Sequence, residues 1–208
     1  MSTVYALLVG IDDYQDVPKL SGCLKDVEGF YDFLEATFDR GYLKVRALTD
    51  AKATRAAVID GFRSHLSQAN ADDIALFYFC GHGAQSPTAT EFKAFYPDGK
   101  EEGLVCYDSR APGNFDLADK ELAVLIDEVA ARTPHVTVIL DCCHSGSGTR
   151  DIDDDVLVTR MTGSNKQGRS LADYLGGHYA AQVAAGGSLS IPRASHVVMS
   201  ACRDIETA

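Results

Sequence analysis

Apolar residues along this chain gather in short continuous runs, separated by stretches with a helical beat. Val4–Ile11 (VYALLVGI) is such a run, ending around Gly10, and predicts a buried strand. Asp73–Phe79 (DIALFYF), Val136–Leu140 (VTVIL) and His196–Ala201 (HVVMSA) repeat the pattern, and Leu43–Leu48 predicts a shorter strand. Leu24–Phe38 carries apolar residues at Leu24, Val27, Phe30, Tyr31, Leu34 and Phe38, which is helical spacing. Thr54–Ala69 has Val58, Ile59, Phe62 and Leu66 on one helical face, and Ala118–Arg132 is a third helix. The polar stretch Asp12–Gly22 contains Pro18 and reads as loop. Gly81–Gly113 reads as loop with short strands at Glu91–Tyr96 and Gly103–Tyr107. Asp141–Gly187 is polar and Gly-rich, with a helix expected at Ser170–Ala184.

Strands that alternate with helices predict an α/β fold: a mostly parallel central sheet with helices on both faces. In such sheets, function gathers at the carboxyl ends of the strands. No internal repeat or Pro-rich linker divides the chain, so a single domain over 1–208 is expected, with 146–187 as a flexible loop.

Composition narrows the partners. The 208 residues are 46% hydrophobic, enough for one α/β domain with a full core. No apolar run approaches the roughly 18–20 residues of a membrane span, and Met1-Ser2-Thr3 lacks the basic start of a signal peptide. The net charge of −11 disfavours nucleic acid and anionic membrane as partners and favours basic substrates. The six cysteines (Cys23, Cys80, Cys106, Cys142, Cys143, Cys202) are too few for a disulfide scaffold. Without a secretion signal the expected setting is the reducing cytoplasm, where each thiol is either buried and inert or chemically active.

Two segments stand directly after buried strands. Phe79-Cys-Gly-His82-Gly-Ala-Gln85 sets a histidine between glycines, on backbone that another group can approach closely. Taken alone it is equally a turn with a surface histidine. Ile139-Leu-Asp141-Cys-Cys143-His-Ser-Gly146 puts a thiol at a strand end, and alone it is equally a pair of buried cysteines. Together they point further. Neighbouring parallel strands would bring His82 and Cys143 side by side, and the imidazole would generate a nucleophilic thiolate. The backbone N–H groups of Gly83 and Cys143 would then form an oxyanion hole. Acyl transfer through a thioester follows, with the Cys–His pair acting as a dyad and needing no cofactor.

The segments YFCGHGAQ and LDCCHSGSG resemble the histidine and cysteine motifs of metacaspases and the bacterial orthocaspases. VYALLVGIDDY and LSGCLKDVEGF resemble that family's first strand and first helix, and HVVMSACRD resembles a later strand. True caspases carry another local motif, with the histidine about 50 residues upstream of the cysteine; here the two lie 61 positions apart. The resemblance implies a caspase-like fold and a cysteine endopeptidase that cuts after Arg or Lys. It implies that Asp26 and Asp141 line the pocket for the residue before the cut, with Cys23 and Cys80 as neutral lining. Two carboxylates there would select a cation, with Arg able to bind both. Asp26 is otherwise a carboxylate favoured by a helix N-terminus.

The resemblance also brings calcium into view as an activator, held by acidic loops: Asp98, Glu101 and Glu102 in one, Asp151, Asp153, Asp154 and Asp155 in the other. Such charge runs are otherwise solvated surface. The loop 146–187 contains Arg150, Arg160, Lys166 and Arg169, so an enzyme that cuts after basic residues could process itself there; Arg160, Lys166 and Arg169 are the candidates, with Lys166 and Arg169 preferred. Related proteases continue beyond the fourth central strand, so a longer protein is expected, with a regulatory domain or partner past Ala208. The rival readings are a soft-metal site drawn from Cys80, His82, Cys142, Cys143 and His144, a redox switch at Cys142–Cys143, an inactive scaffold domain, and a hydrolase of non-peptide amides.

Overall fold

In the computed structural model, residues 2–142, 160 and 162–201 are described. Strand β1 (Val4–Gly10) is buried along nearly its whole length, as its unbroken apolar run requires. It lies inside a five-stranded sheet ordered β2-β1-β3-β7-β8. The other members are β2 (Leu43–Thr49), β3 (Ile74–Cys80), β7 (His135–Asp141) and β8 (Val197–Ser200). Every pairing is parallel.

Helices cover both faces. Helix α1 (Cys23–Thr37) lies so close to β1 that a Cβ on Gly10 would sit 2.7 Å from Val27 Cγ2. Helix α2 (Arg55–Asp60) runs on through a π-type turn at Gly61–His65, where a Cβ on Gly61 would lie 2.6 Å from Leu7. Leu7 and Gly10 point to opposite faces of the pleat, so these two helices sandwich β1. Helix α3 (Asp119–Ala130) packs beside the π-type turn and against β7. The α/β architecture expected from the alternating pattern is therefore the one observed.

From β1 the chain turns to β2 on one side and then crosses to β3 on the other. The switch point lies between β1 and β3, and a crevice opens outside the carboxyl ends of such strands. Gly10, Cys80 and Asp141 stand in one row at that end.

A smaller antiparallel sheet contains β4 (Gly83–Pro87), β5 (Lys100–Leu104) and β6 (Leu117–Ala118). It differs from expectation in three ways. Strand β4 sits in a stretch expected to be loop, because GAQSP has no β-branched or aromatic residue and owes its extended state to pairing with β5. Strand β5 begins at Lys100 and ends at Leu104, earlier than the strand expected from Gly103. Glu91–Tyr96 is no strand: a 3₁₀ turn at Thr90–Ala94 sends Phe92 into the core. The helix expected at Ser170–Ala184 is broken by positive φ at Leu175, Gly176 and Gly177, and α4 spans only His178–Ala184. No helix among the described residues is long and apolar enough to cross a membrane.

Candidate active site

The loop after β1 arms the crevice. The Asp12 carboxylate accepts from the backbone N–H of Gly22, Cys23 and Leu24 at 3.2, 3.0 and 3.3 Å, closing the start of α1. Asp50 in turn accepts from the N–H groups of Asp12 and Asp13, both at 2.9 Å. Tyr14, two residues on, is buried and its hydroxyl accepts from the backbone N–H of His82 at 2.7 Å. The Tyr14 and His82 rings lie 5.1 Å apart. Gly81 is required here, since a Cβ at that position would come within 2.5 Å of the Tyr14 hydroxyl.

His82 is buried just past the end of β3. Its Nε2 lies 2.9 Å from the Pro18 carbonyl oxygen, which can only accept, so Nε2 carries the proton. Nδ1 is then a bare lone pair, and it is buried with no hydrogen-bond partner. Burial lowers the pKa of this imidazole, against the opposing pull of the Pro18 and Arg160 backbone groups. The imidazole is thereby held in its neutral form, with its proton on Nε2.

A cation pocket lies beside it. Cys80 Sγ is 3.6 Å from both Asp26 Oδ2 and Asp141 Oδ2. Asp26 comes from the first turn of α1 and Asp141 from the last residue of β7. Cys23 is buried next to Cys80, and the hydrogen bond between the two thiols, with burial, raises the Cys80 pKa. Burial does the same for Cys106. Cys80 and Cys106 are thus held in the protonated thiol form, which is a poor nucleophile. Among the described residues, Asp26, Cys80 and Asp141 form the one trio placed to hold a metal ion. That space is taken by the Arg160 guanidinium, which pairs with Asp26 at 2.5 Å and with Asp141.

Gly83, the residue suggested as an oxyanion donor, gives its N–H to the Arg160 carbonyl oxygen at 3.0 Å. Its own carbonyl accepts from the Thr162 N–H at 3.1 Å. Cys143 lies outside the described residues, as do His144, Arg150, Asp151, Asp153, Asp154 and Asp155. The described chain reaches the buried Cys142, one residue past Asp141.

The remaining candidates lie elsewhere. Glu101 is buried and bonded to Lys120 at 2.7 Å, Arg169 at 2.9 Å and the Tyr174 hydroxyl at 2.6 Å, so its oxygens are not available to calcium. Asp98 accepts from the Lys100 N–H in its own turn. Asp98, Glu101 and Glu102 do not converge on one point; strand alternation sends Glu101 inward. Lys166 is exposed. The Arg169 side chain is 2% exposed and also pairs with Glu121 at 2.6 Å, which makes it an anchor for its segment.

Comparison with known proteins settles the kinship. A family model described as "Metacaspase, peptidase C14 domain" matches residues 5–151. The chain belongs to the metacaspase family. Metacaspase-1A of Aspergillus niger is 28% identical over 148 residues, covering 68% of this chain and 35% of that protein. Metacaspase-1 of Coccidioides immitis is 28% identical over 148 residues, covering 68% and 31%. This metacaspase chain thus spans about a third of the length of these curated relatives. The crystal structure of protein GSU0716 from Geobacter sulfurreducens shares the fold at a TM-score of 0.66 and 20% identity, covering 99% of this chain and 75% of that one.

Within the metacaspase site, Tyr14, Asp12 and the Pro18 carbonyl went unrecognised in the sequence. Each acts through a contact to backbone or by backbone, which leaves no chemical signature in residue type. The nearest signal was the GIDDY end of the first strand motif.

Proposed function

We propose that this domain is a cysteine endopeptidase that cuts peptide bonds after Arg or Lys, with Cys143 as nucleophile and His82 as base. One observation carries the reading: a two-carboxylate pocket lies beside a buried histidine whose Nδ1 lone pair is free. The Cys143 thiol passes its proton to His82 Nδ1 and its sulfur attacks the substrate carbonyl carbon. The developing oxyanion would be met by the N–H groups of Gly83 and Cys143. The C–N bond then breaks, the leaving amine takes the proton from His82, and water hydrolyses the thioester.

The pocket chemistry supports a basic residue before the cut. Asp26 and Asp141 approach one guanidinium from two sides, and charge-assisted bonds of this kind favour Arg. Protein or peptide substrates are the partners this implies. The thiols of Cys23, Cys80 and Cys106 are free and buried, which suits a reducing cytoplasm. Calcium belongs to the proposal only as an activator and not to the chemistry.

The test is a set of fluorogenic peptides ending in Arg, Lys or Asp, with and without Ca²⁺, on wild type and Cys143→Ala. Cleavage of the basic peptides alone, lost in Cys143→Ala, is the expected result. Equal cutting after Asp would overturn the pocket assignment, and activity surviving in Cys143→Ala would overturn the mechanism.

A further inference from the structure

The acidic pocket mixes sulfur with carboxylate oxygen, and all of these donors come from rigid elements. Cys23 and Asp26 stand three residues apart in the first turn of α1, on one helix face. Cys80 ends β3, Asp141 ends β7, and the two are register partners. Cys80 Sγ lies 3.6 Å from Asp26 Oδ2 and 3.6 Å from Asp141 Oδ2, and one ligand atom from each of the three residues falls within 4.8 Å of the others. With Zn–S of about 2.3 Å and Zn–O of about 2.0–2.2 Å, a tetrahedral zinc site sets its sulfur about 3.5–3.7 Å from each oxygen. The spacing around Cys80 Sγ is therefore already that of a tetrahedron's edges. Cys23, hydrogen-bonded through its thiol to Cys80, adds a second sulfur. Both thiols are sealed from solvent, while the Asp26 and Asp141 side chains stand at the mouth, 43% and 24% exposed, and give an ion a way in.

We propose that Asp26, Cys80 and Asp141, with Cys23 as fourth donor, form a Zn²⁺ site, and that zinc and a guanidinium exclude each other from it. The donor set selects the ion. Two sulfurs with two oxygens suit a borderline-soft, four-coordinate cation, whereas Ca²⁺ and Mg²⁺ take about six or more oxygens. Charge agrees, because the Arg160 guanidinium already places one positive charge between the two carboxylates and a divalent ion would match both. The ion displaces the Cys80 proton to solvent as the Zn–S bond forms, which overrides the protonated state that burial favours. Arg160 has to leave before the ion enters, so the site opens to zinc only when that guanidinium is withdrawn. The site stands on this geometry alone. Its consequence, that zinc competes with a basic substrate, rests on the peptidase reading above.

Binding is measured on Cys143→Ala/Arg160→Ala, a chain without the proposed nucleophile and without the internal cation. Zn²⁺ affinity is read by calorimetry, and Co²⁺ serves as a spectroscopic stand-in. One equivalent is expected to bind, with near-ultraviolet thiolate-to-cobalt charge transfer and the intense visible bands of tetrahedral Co²⁺. Losing an outer partner of a metal site typically costs about 10–100-fold in affinity, so losing a ligand in Cys80→Ser or Asp26→Asn should weaken zinc by at least about tenfold. Cys80→Ser should also dim the charge-transfer band, and His82→Ala should bind as the parent does. Restoring Arg160, or adding Nα-acetyl-arginine amide, should weaken zinc in proportion to the guanidinium bound. A cobalt complex without a thiolate band would overturn the pocket site. So would an affinity that falls with His82→Ala but not with Asp26→Asn, in chains with matching thermal midpoints. Zinc binding indifferent to both Arg160 and the arginine amide would overturn the exclusion. No arm requires catalysis, so a wild type inactive on every peptide would overturn the peptidase reading and leave the zinc site standing.

Discussion

Two carboxylates meet one guanidinium in the pocket, but they do not meet it equally. The Asp141 side chain is 24% exposed and that of Asp26 is 43% exposed, so water screens the second pair more. A hydrogen bond to a charged group contributes about 1.5–3 kcal/mol, roughly a 10- to 100-fold effect on binding. Asp141→Asn should therefore lower kcat/KM for an Arg peptide by about 10- to 100-fold, and Asp26→Asn by less. The comparison belongs in an Arg160→Ala background, where no internal arginine competes. Rates within twofold of the parent for Asp141→Asn would remove that residue from substrate recognition. The same scale explains why His82 is usable at all: Tyr14 fixes its backbone and the Pro18 carbonyl fixes its proton, leaving Nδ1 bare.

Among the elements, the site depends on α1 sitting hard against β1, because α1 delivers both Cys23 and Asp26. Gly10 sets that distance. A Cβ there would come within 2.7 Å of Val27 Cγ2 and 3.1 Å of the Cys23 carbonyl oxygen, and backbone cannot yield as a side chain can. Gly10→Ala should cost about 1–3 kcal/mol, the usual range for overpacking, seen as a lower urea midpoint with unchanged slope. Adding Val27→Ala should give back part of the loss by removing the nearer clash. An unchanged midpoint in Gly10→Ala would mean that the helix has room to spare. These packed elements are also the ones legible in the sequence. Strands β1, β3 and β7 are buried runs, and α1 and α3 show a clear apolar face, so pattern alone located them. Strand β4 was illegible because its five residues have no strand preference apart from their partner β5. His82, Asp26 and Asp141 stood out through motif resemblance. Tyr14 did not, because its role is a contact across 68 positions to a backbone N–H, and residue type does not announce such a contact.

Across the whole molecule, buried charge ties together parts that the main sheet does not join. Lys120 of α3 has no exposed side-chain surface and bonds Glu101 of β5 at 2.7 Å and Asp119 at 3.1 Å. Its ammonium also lies 4.2 Å from the Tyr96 ring centroid and 4.9 Å from that of Phe92. Glu101 in turn holds Arg169, which pairs with Glu121, and Glu121 pairs with Arg55 at the start of α2. The chain after Arg160 is thereby clamped to the hairpin and to α3 at a distance from the pocket. Removing one partner of a buried pair leaves an uncompensated charge, which typically costs about 3–5 kcal/mol. That is a large share of a usual domain stability of about 5–15 kcal/mol. Lys120→Met should accordingly lower the urea midpoint steeply, because Met fills the volume but leaves Glu101 Oε2 with only the Tyr174 hydroxyl. Adding Glu101→Gln should cost much less than it does alone, since the charge it neutralises has already lost its ammonium. A Lys120→Met chain within about 1 kcal/mol of wild type would show that Arg169 alone satisfies Glu101, and that the clamp rests on one cation rather than two.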